Sequence, residues 1–229
     1  AGEVEKLAKG ADTVGELVAA IQSERSISAQ LLEKKPVAAQ VTKARQNTDQ
    51  ALLKTRSLLA GVDIQALSPQ AAAAVGVATA GHEQLANVRA QVDSGYAQAD
   101  RINERYTTMI ANDIALSGRI GIGLENRSIG RQLSVFSSAQ AVSEIATQER
   151  ELVLRMIGQG KVNEATATSL AALQAQENQA FAAFRLDATK QQKSDMDAAV
   201  YLPVQDRAAY STMKAEITSL ANGDKVTID

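Results

Sequence analysis

The sequence predicts an all-α protein built from two up-and-down antiparallel helical bundles that share long helices. Apolar residues recur at alternating spacings of three and four over most of the 229 residues, which is the period of one helix face. Three prolines and an aromatic content of 3% favour long helices over sheets. Turn-like segments divide the chain into six to eight helices with short connections, as in up-and-down bundles.

The first two predicted helices form a hairpin. The first ends at Lys34-Lys35-Pro36, because the residue before a proline is pushed out of the α region. The second ends at Gly61. The buried seam of the first helix is predicted to contain Val4, Leu7, Ala11, Val14, Val18, Ile21, Arg25, Ser28 and Leu32. The seam of the second contains Val37, Val41, Ala44, Thr48, Ala51, Thr55 and Leu58.

The next segment combines an ambiguous stretch with a clear helix. Residues 71–81 are rich in alanine but interrupted by Gly76, so their pattern fits either a helix or a loop. Helical spacing returns from His82 to Ser117, with an expected irregularity at Gly95.

Four glycines between Gly118 and Gly130 predict a break between two halves, about 1–120 and 121–229, of a single domain covering 1–229. In the second half, a seam with Glu149 in mid-helix ends near Gly158 and Gly160. A further helix is predicted over about 162–188, and a last one after Pro203.

Composition argues against several classes of function. A net charge of −2 leaves no basic excess to neutralise a row of phosphates, so we expect no nucleic-acid partner. No apolar stretch reaches the roughly 18 residues of a membrane span. The chain has no cysteine and one histidine, His82, which we expect to be an ordinary surface residue because metal sites need clustered ligands. We therefore expect no catalytic residues, no metal and no cofactor.

Charged residues interrupt the apolar seams at two places. Arg25 lies one turn beyond Ile21, and Glu149 occupies a seam position beside Arg150. A buried charge is costly unless it is paired or liganded. These residues are therefore interpreted either as pins that fix the register of the bundle, or as arginines that converge on a small anion.

A second constellation, Arg45, Thr48 and Asp49, lies on the second helix. Arg45 and Asp49 are one turn apart and are expected to pair on the surface. Thr48 lies in the seam, and we expect the set as a whole to be structural and to tie the second helix to the first.

Two groups of residues resemble the nitrate- and nitrite-sensing (NIT) family. The first group lies on the first two predicted helices and comprises Leu17-Val18, Ile21-Gln22-x-Glu24-Arg25-x-x-Ser28 and Arg45-x-x-Thr48-Asp49-x-Ala51-Leu52. The second group, in the second half of the chain, is Ile145-x-x-Gln148-Glu149-Arg150. The resemblance extends over about residues 14–185. It implies an all-α sensor domain in which arginines hold nitrate or nitrite between helices. Carried over to this chain, the ligand-binding residues are Arg25, Ser28, Arg150 and, from its rough position alone, Arg207.

One departure from the family pattern concerns the first helix. Some members carry two adjacent arginines where this chain has Glu24-Arg25. An acidic side chain beside the site opposes an anion unless it is paired or points away.

The resemblance further implies a domain that lies outside the membrane in bacterial histidine kinases, chemoreceptors and cyclases, or one that belongs to a soluble antiterminator. We expect the extracytoplasmic sensor domain of a membrane-anchored receptor such as a histidine kinase, with a signalling module in the same chain and a homodimeric state. Val4 and Leu7 are already in helical phase, as expected if membrane helices flank the domain. The alternatives are a helical interaction module without a small ligand, and a chemoreceptor-like bundle that binds an organic acid.

Overall fold

The computed structural model describes residues 2–61, 63, 67–120, 127–159 and 164–200. Eight helices lie within these ranges: α1 (Gly2–Leu32), α2 (Ala38–Ala60), α3 (Pro69–Glu83), α4 (Leu85–Ser94), α5 (Ala99–Ile120), α6 (Arg127–Gln159), α7 (Glu164–Asp187) and α8 (Lys190–Val200). The prediction of an all-α protein is confirmed. The helix predicted after Pro203 lies outside the described residues.

The described chain divides into two compact units, 1–137 and 138–229, and the division lies inside α6. In the first unit, α1, α2, α5 and the consecutive helices α3 and α4 form a four-helix bundle. Thr48 lies against Ala20, Arg89 contacts Asp49, and Arg105 contacts Asn87. Three further contacts are those of Gly10 with Leu58, Arg45 with Asp93 and His82 with Asp113. In each pair of neighbouring helices, the contacts show that the two helices run antiparallel. The bundle is therefore up-down-up-down.

The ambiguous segment is helical. Ser68 accepts a hydrogen bond from the backbone N–H of Ala71 (3.2 Å), and Pro69 occupies the first turn, where its missing N–H costs nothing. Gly76 lies within α3 without ending it. The single residue Gln84 separates α3 from α4 and keeps an αR backbone.

Gly95 causes more than an irregularity. It adopts φ 69°, a left-handed conformation that suits glycine, and ends α4. The segment predicted as one helix from His82 to Ser117 therefore contains the end of α3, all of α4 and most of α5, and the turn at Gly95 reverses the chain between α4 and α5.

The core of the first unit contains much of the two predicted seams, and the side chains of the seam residues Val4 and Leu7 lie outside what the structure describes. Val14, Val18 and Ile21 of α1 are buried, and α2 buries Val41, Ala44, Thr48, Ala51 and Thr55. Val88 and Val92 of α4, and Ile102, Tyr106 and Ile110 of α5, complete this core. Gly118 allows α6 to approach α5, because a Cβ at this position would lie 2.8 Å from Ser137 Oγ.

In the second unit, α6 and α7 share an apolar cluster of Leu152, Val153, Met156 and Leu170, with Leu173 packed against it. Thr189 and Gln192 cap α8 reciprocally: the Thr189 hydroxyl accepts from the backbone N–H of Gln192, and the Gln192 amide oxygen accepts from that of Thr189. This capping pair explains why a separate helix, absent from the sequence prediction, begins at Lys190. Among the described helices, none is long and apolar enough to cross a membrane.

Candidate functional site

A buried polar layer crosses the middle of the first unit. It consists of Glu24 on α1, Thr48 on α2, Arg89 on α4 and Tyr106 on α5, so each helix of the bundle contributes one residue. Glu24, Thr48 and Tyr106 are each 0% exposed. This polar layer contains the acidic neighbour of the predicted ligand Arg25.

Arg89 binds both oxygens of the Glu24 carboxylate. Its Nε donates to Oε1 at 2.7 Å and its Nη2 donates to Oε2 at 2.8 Å. The Tyr106 hydroxyl donates to Oε1 at 2.9 Å. A two-pronged guanidinium contact is among the stronger interactions available to a buried carboxylate.

These contacts determine the charge state of the polar layer. Burial by itself raises the pKa of Glu24, but hydrogen bonds from Arg89, Thr48 and Tyr106, together with the Arg89 charge, outweigh it and hold the pKa below its ordinary value. The pKa of Tyr106 is raised, by burial first and by the Glu24 charge second. Glu24 is therefore ionised and Tyr106 is neutral near pH 7.

The outer side of Arg89 contacts α2. Its Nη1 donates to Asp49 Oδ1 at 2.7 Å, and its Nη2 also donates to the backbone carbonyl of Arg45 at 3.2 Å. Burial alone would lower the pKa of Arg89, but Glu24 and Asp49 raise it above its ordinary value. Arg89 thus joins α1, α2 and α4 and stays charged.

Arg25 lies beside this polar layer and is 1% exposed. Its Nη1 donates to the hydroxyl of Thr107 on α5 at 2.9 Å. Ser28, one turn further along α1, is 0% exposed, with its Oγ 3.5 Å from Tyr106 Oη. The structure therefore brings two of the predicted ligand-binding residues, Arg25 and Ser28, into one polar interior.

The predicted pairing of Arg45 with Asp49 is wrong. Arg45 instead makes a two-pronged contact with Asp93 of α4 at 2.8 and 3.0 Å, and Asp49 binds Arg89. Partners on an adjacent antiparallel helix replace the partner one turn away. Thr48 does tie α2 to α1 as predicted, because its Oγ1 lies 3.3 Å from the Ala20 carbonyl.

The expectation for His82 is also wrong. His82 is 5% exposed rather than on the surface, and its Nε2 lies 2.8 Å from Oδ1 of the fully buried Asp113. Burial raises the pKa of Asp113, and the contact with His82 opposes this rise only in part. The histidine reaches the interior because α3 places it at a buried position facing α5.

The other predicted site residues lie elsewhere. Glu149 is buried (1% exposed), as its seam position predicted, but the neighbouring Arg150 is exposed on α6 in the second unit. Arg207 lies outside the described residues. The participation of Arg150 and Arg207 in ligand binding stays a prediction.

Sequence reasoning missed Arg89 and Tyr106 as members of the site. Arg89 is flanked by Val88 and Val92 at a helical position that looks like a solvent-facing one, and Tyr106 fits an apolar seam. The available signal was the pair Glu24-Arg25, since a buried acid needs a basic partner from another helix. Nothing in the spacing along the chain indicated which helix supplies it.

A search against models of protein families matches residues 16–228 to the family described as nitrate and nitrite sensing (NIT). The chain belongs to the NIT family. Its fold is similar to the solved structure of the NasR transcription antiterminator, with a TM-score of 0.83 and 17% sequence identity. That match covers 100% of this chain and 60% of the NasR chain, so this NIT domain spans well under two thirds of the relative's length. The search of curated proteins found no match.

Proposed function

We propose that this NIT domain binds nitrate or nitrite in the polar interior of its first unit, with Arg25 as the principal ligand, and relays binding to an output module. Family membership supports a small planar anion as the ligand.

The observation that carries the proposal is the burial of Arg25. Its guanidinium is 1% exposed and donates to a neutral hydroxyl, Thr107 Oγ1, at 2.9 Å. Planar N–H donors fixed in a poorly hydrated interior match the oxygens of a planar anion better than a flexible ammonium does.

The acidic neighbour does not defeat the proposal. Both oxygens of Glu24 are engaged by Arg89 at 2.7 and 2.8 Å, so the carboxylate is compensated from another helix. Ser28 is proposed as a second donor, because its buried hydroxyl lies one turn from Arg25 on the same helix. Arg150 and Arg207 are kept as proposed contributors on the strength of the family resemblance.

Signalling requires that the anion bind one arrangement of the helices better than another. We propose that a four-helix bundle crossed by one polar layer provides such arrangements, since a polar layer favours discrete registers. The proposed output is the module of a homodimeric, membrane-anchored receptor such as a histidine kinase, with this domain outside the membrane. The solved relative is a transcription antiterminator, so an antiterminator output is the competing possibility.

Thermal unfolding with sodium nitrate, sodium nitrite and sodium chloride at equal ionic strength tests the ligand. At about 100 times its dissociation constant, a ligand adds roughly 2.7 kcal/mol of stability. We expect this gain with nitrate or nitrite, no gain with chloride, and loss of the gain in Arg25→Ala. Arg56→Ala, which removes an exposed arginine of α2, is the matched control and should keep the gain.

Equal stabilisation by all three salts would be a non-specific salt effect and would contradict the proposed binding of nitrate or nitrite. If the nitrate-specific gain in stability persists in Arg25→Ala, nitrate is a ligand but Arg25 is not its binding residue.

A further inference from the structure

Glu24 and Arg25 are adjacent on α1, and both side chains are buried, at 0% and 1% exposure. The Tyr106 hydroxyl that donates to Glu24 Oε1 at 2.9 Å also lies 3.5 Å from Oγ of Ser28, the proposed second donor, so the carboxylate lies near the proposed anion position and would repel an anion there. The repulsion is strong because a buried position is poorly screened. The affinity of a site at Arg25 must therefore depend on what compensates Glu24.

That compensation comes from α4. Arg89 contacts both Glu24 oxygens at 2.7 and 2.8 Å, while the Tyr106 hydroxyl adds one further donor at 2.9 Å. Arg89 is only 17% exposed in its side chain and is anchored on its other side by Asp49 at 2.7 Å. Its position is thus determined by two carboxylates from two different helices.

We propose that Arg89 is a positioning residue that determines the anion affinity of the Arg25 site by neutralising Glu24. Arg89 does not touch the anion; it acts through the charge and orientation of its neighbour. This inference rests on the function proposed above. It also accounts for how this chain tolerates an acid beside the site, where some family members carry a second arginine.

A purely structural role for the pair predicts a different outcome. If Glu24 and Arg89 only fixed the register of the helices, then removing either partner would weaken anion binding through loss of structure. If Arg89 acts by neutralising Glu24, then removing the acid should strengthen binding, and removing the arginine should weaken it.

Titration calorimetry with sodium nitrate on the full 229-residue chain, in chloride-free buffer, separates the two. We expect Glu24→Gln to bind nitrate several-fold more tightly than the unchanged chain, because the amide can still accept from Arg89 and one negative charge is gone. Arg89→Met should bind at least about tenfold more weakly, which corresponds to about 1.4 kcal/mol. Glu24→Gln combined with Arg89→Met should return to within about threefold of the starting affinity.

The matched control is Arg56→Met, which removes the same charge from an exposed position of α2 and should leave nitrate affinity unchanged. The pH dependence of nitrate affinity is a second measurement, and a purely structural role of Arg89 would not change it. In Arg89→Met, nitrate affinity should recover as the pH falls, because protonation removes the negative charge of Glu24. The other charged or titratable groups around Glu24 are Arg25, Arg45, Asp49 and Tyr106. The unchanged chain should show no such recovery over the same range.

Weaker binding in Glu24→Gln, or a double variant no better than Arg89→Met, overturns the inference. Where Arg89→Met does not fold, Glu24→Gln and the double variant decide, since neither leaves a buried uncompensated carboxylate. If the unchanged chain binds nitrate through Arg25 but ignores every change at Glu24 and Arg89, the proposed function stands and this inference fails. Absence of nitrate binding in the unchanged chain overturns both.

Discussion

Glu24 and Asp113 are both fully buried in the first unit, yet their pKa values move in opposite directions. Burial raises both, and the difference lies in the partners. Glu24 receives two hydrogen bonds from a guanidinium, and the hydroxyls of Tyr106 and Thr48 also lower its pKa. Asp113 receives a single contact from His82, and its Oδ2 has no hydrogen-bond partner among the described residues. The number of hydrogen-bond donors therefore decides which of the two carboxyl groups has a lowered pKa and which has a raised one.

The contact between His82 and Asp113 leads to a prediction at the residue scale. His82→Leu leaves the Asp113 carboxyl group buried without its hydrogen-bond partner, and leaving a buried polar group unsatisfied typically costs about 1–3 kcal/mol. We expect a loss of that order in the free energy of unfolding at pH 7, measured by urea denaturation. Replacing both residues by leucine should recover much of it.

The loss should also depend on pH. A carboxyl group whose folded pKa is raised destabilises the fold above that pKa, and the cost is relieved as the pH falls toward the ordinary aspartate value of about 3.9. The deficit of His82→Leu should therefore shrink between pH 7 and pH 5. A deficit independent of pH would mean that lost packing, rather than the Asp113 charge, causes it.

At the scale of the elements, two turns use a left-handed backbone. Lys34 has φ 64° after α1, and Gly95 has φ 69° after α4. The backbone N–H groups of Lys34 and Lys35 bond the carbonyls of Leu31 and Gln30, a helix-ending pattern that usually places glycine at the left-handed position. The first turn therefore contains a strained lysine, and the second contains the residue best suited to it.

These two positions should respond to substitution with opposite signs. Lys34→Gly relieves a left-handed side chain and should raise the free energy of unfolding by up to about 1 kcal/mol. Gly95→Ala introduces that strain and should lower it by about 1 kcal/mol. Gly76→Ala, at an open position within α3, is the control for the glycine change and should be neutral or stabilising. Urea denaturation measures all three, and a gain in Gly95→Ala would contradict the assignment.

Helix ends also explain which missed elements had a signal in the sequence. The Ser68-Pro69 start of α3 and the Thr189-to-Gln192 cap of α8 are local patterns that a reader of the sequence can find, because capping uses neighbours along the chain. The alanine-rich composition around Gly76 obscured the first, and the absence of a strong apolar seam obscured the second. The sequence indicated the position of the break at Gly95 but not that the chain reverses direction there.

At the scale of the whole molecule, the polar layer should make stability depend on acidity. The pKa of Glu24 is lowered in the folded chain, so its stabilising contribution is present above the ordinary glutamate value of about 4.3 and is lost as the pH falls through the lowered pKa. We expect the free energy of unfolding to fall between pH 5 and pH 3, and Glu24→Gln to flatten this dependence.

Asp93 provides the control for this prediction. Its hydrogen bond with Arg45 also lowers its pKa, but its side chain is 54% exposed, where solvent screening leaves little net stabilisation. Asp93→Asn should therefore keep nearly the full acid dependence. An unchanged slope in Glu24→Gln would show that the buried carboxylate is not the source.

The sequence by itself determined the all-α class, the seams of α1 and α2, and the burial of Arg25, Ser28 and Glu149. It did so because helical periodicity places residues three and four apart on one face, whatever the rest of the chain does. The partners of the charged residues depended on the tertiary structure alone. Arg89 compensates Glu24 across 65 positions of sequence, Asp93 replaces Asp49 beside Arg45, and Asp113 draws His82 inside. Such pairs form only once packing brings different helices together, since spacing along one helix carries no information about which faces will meet.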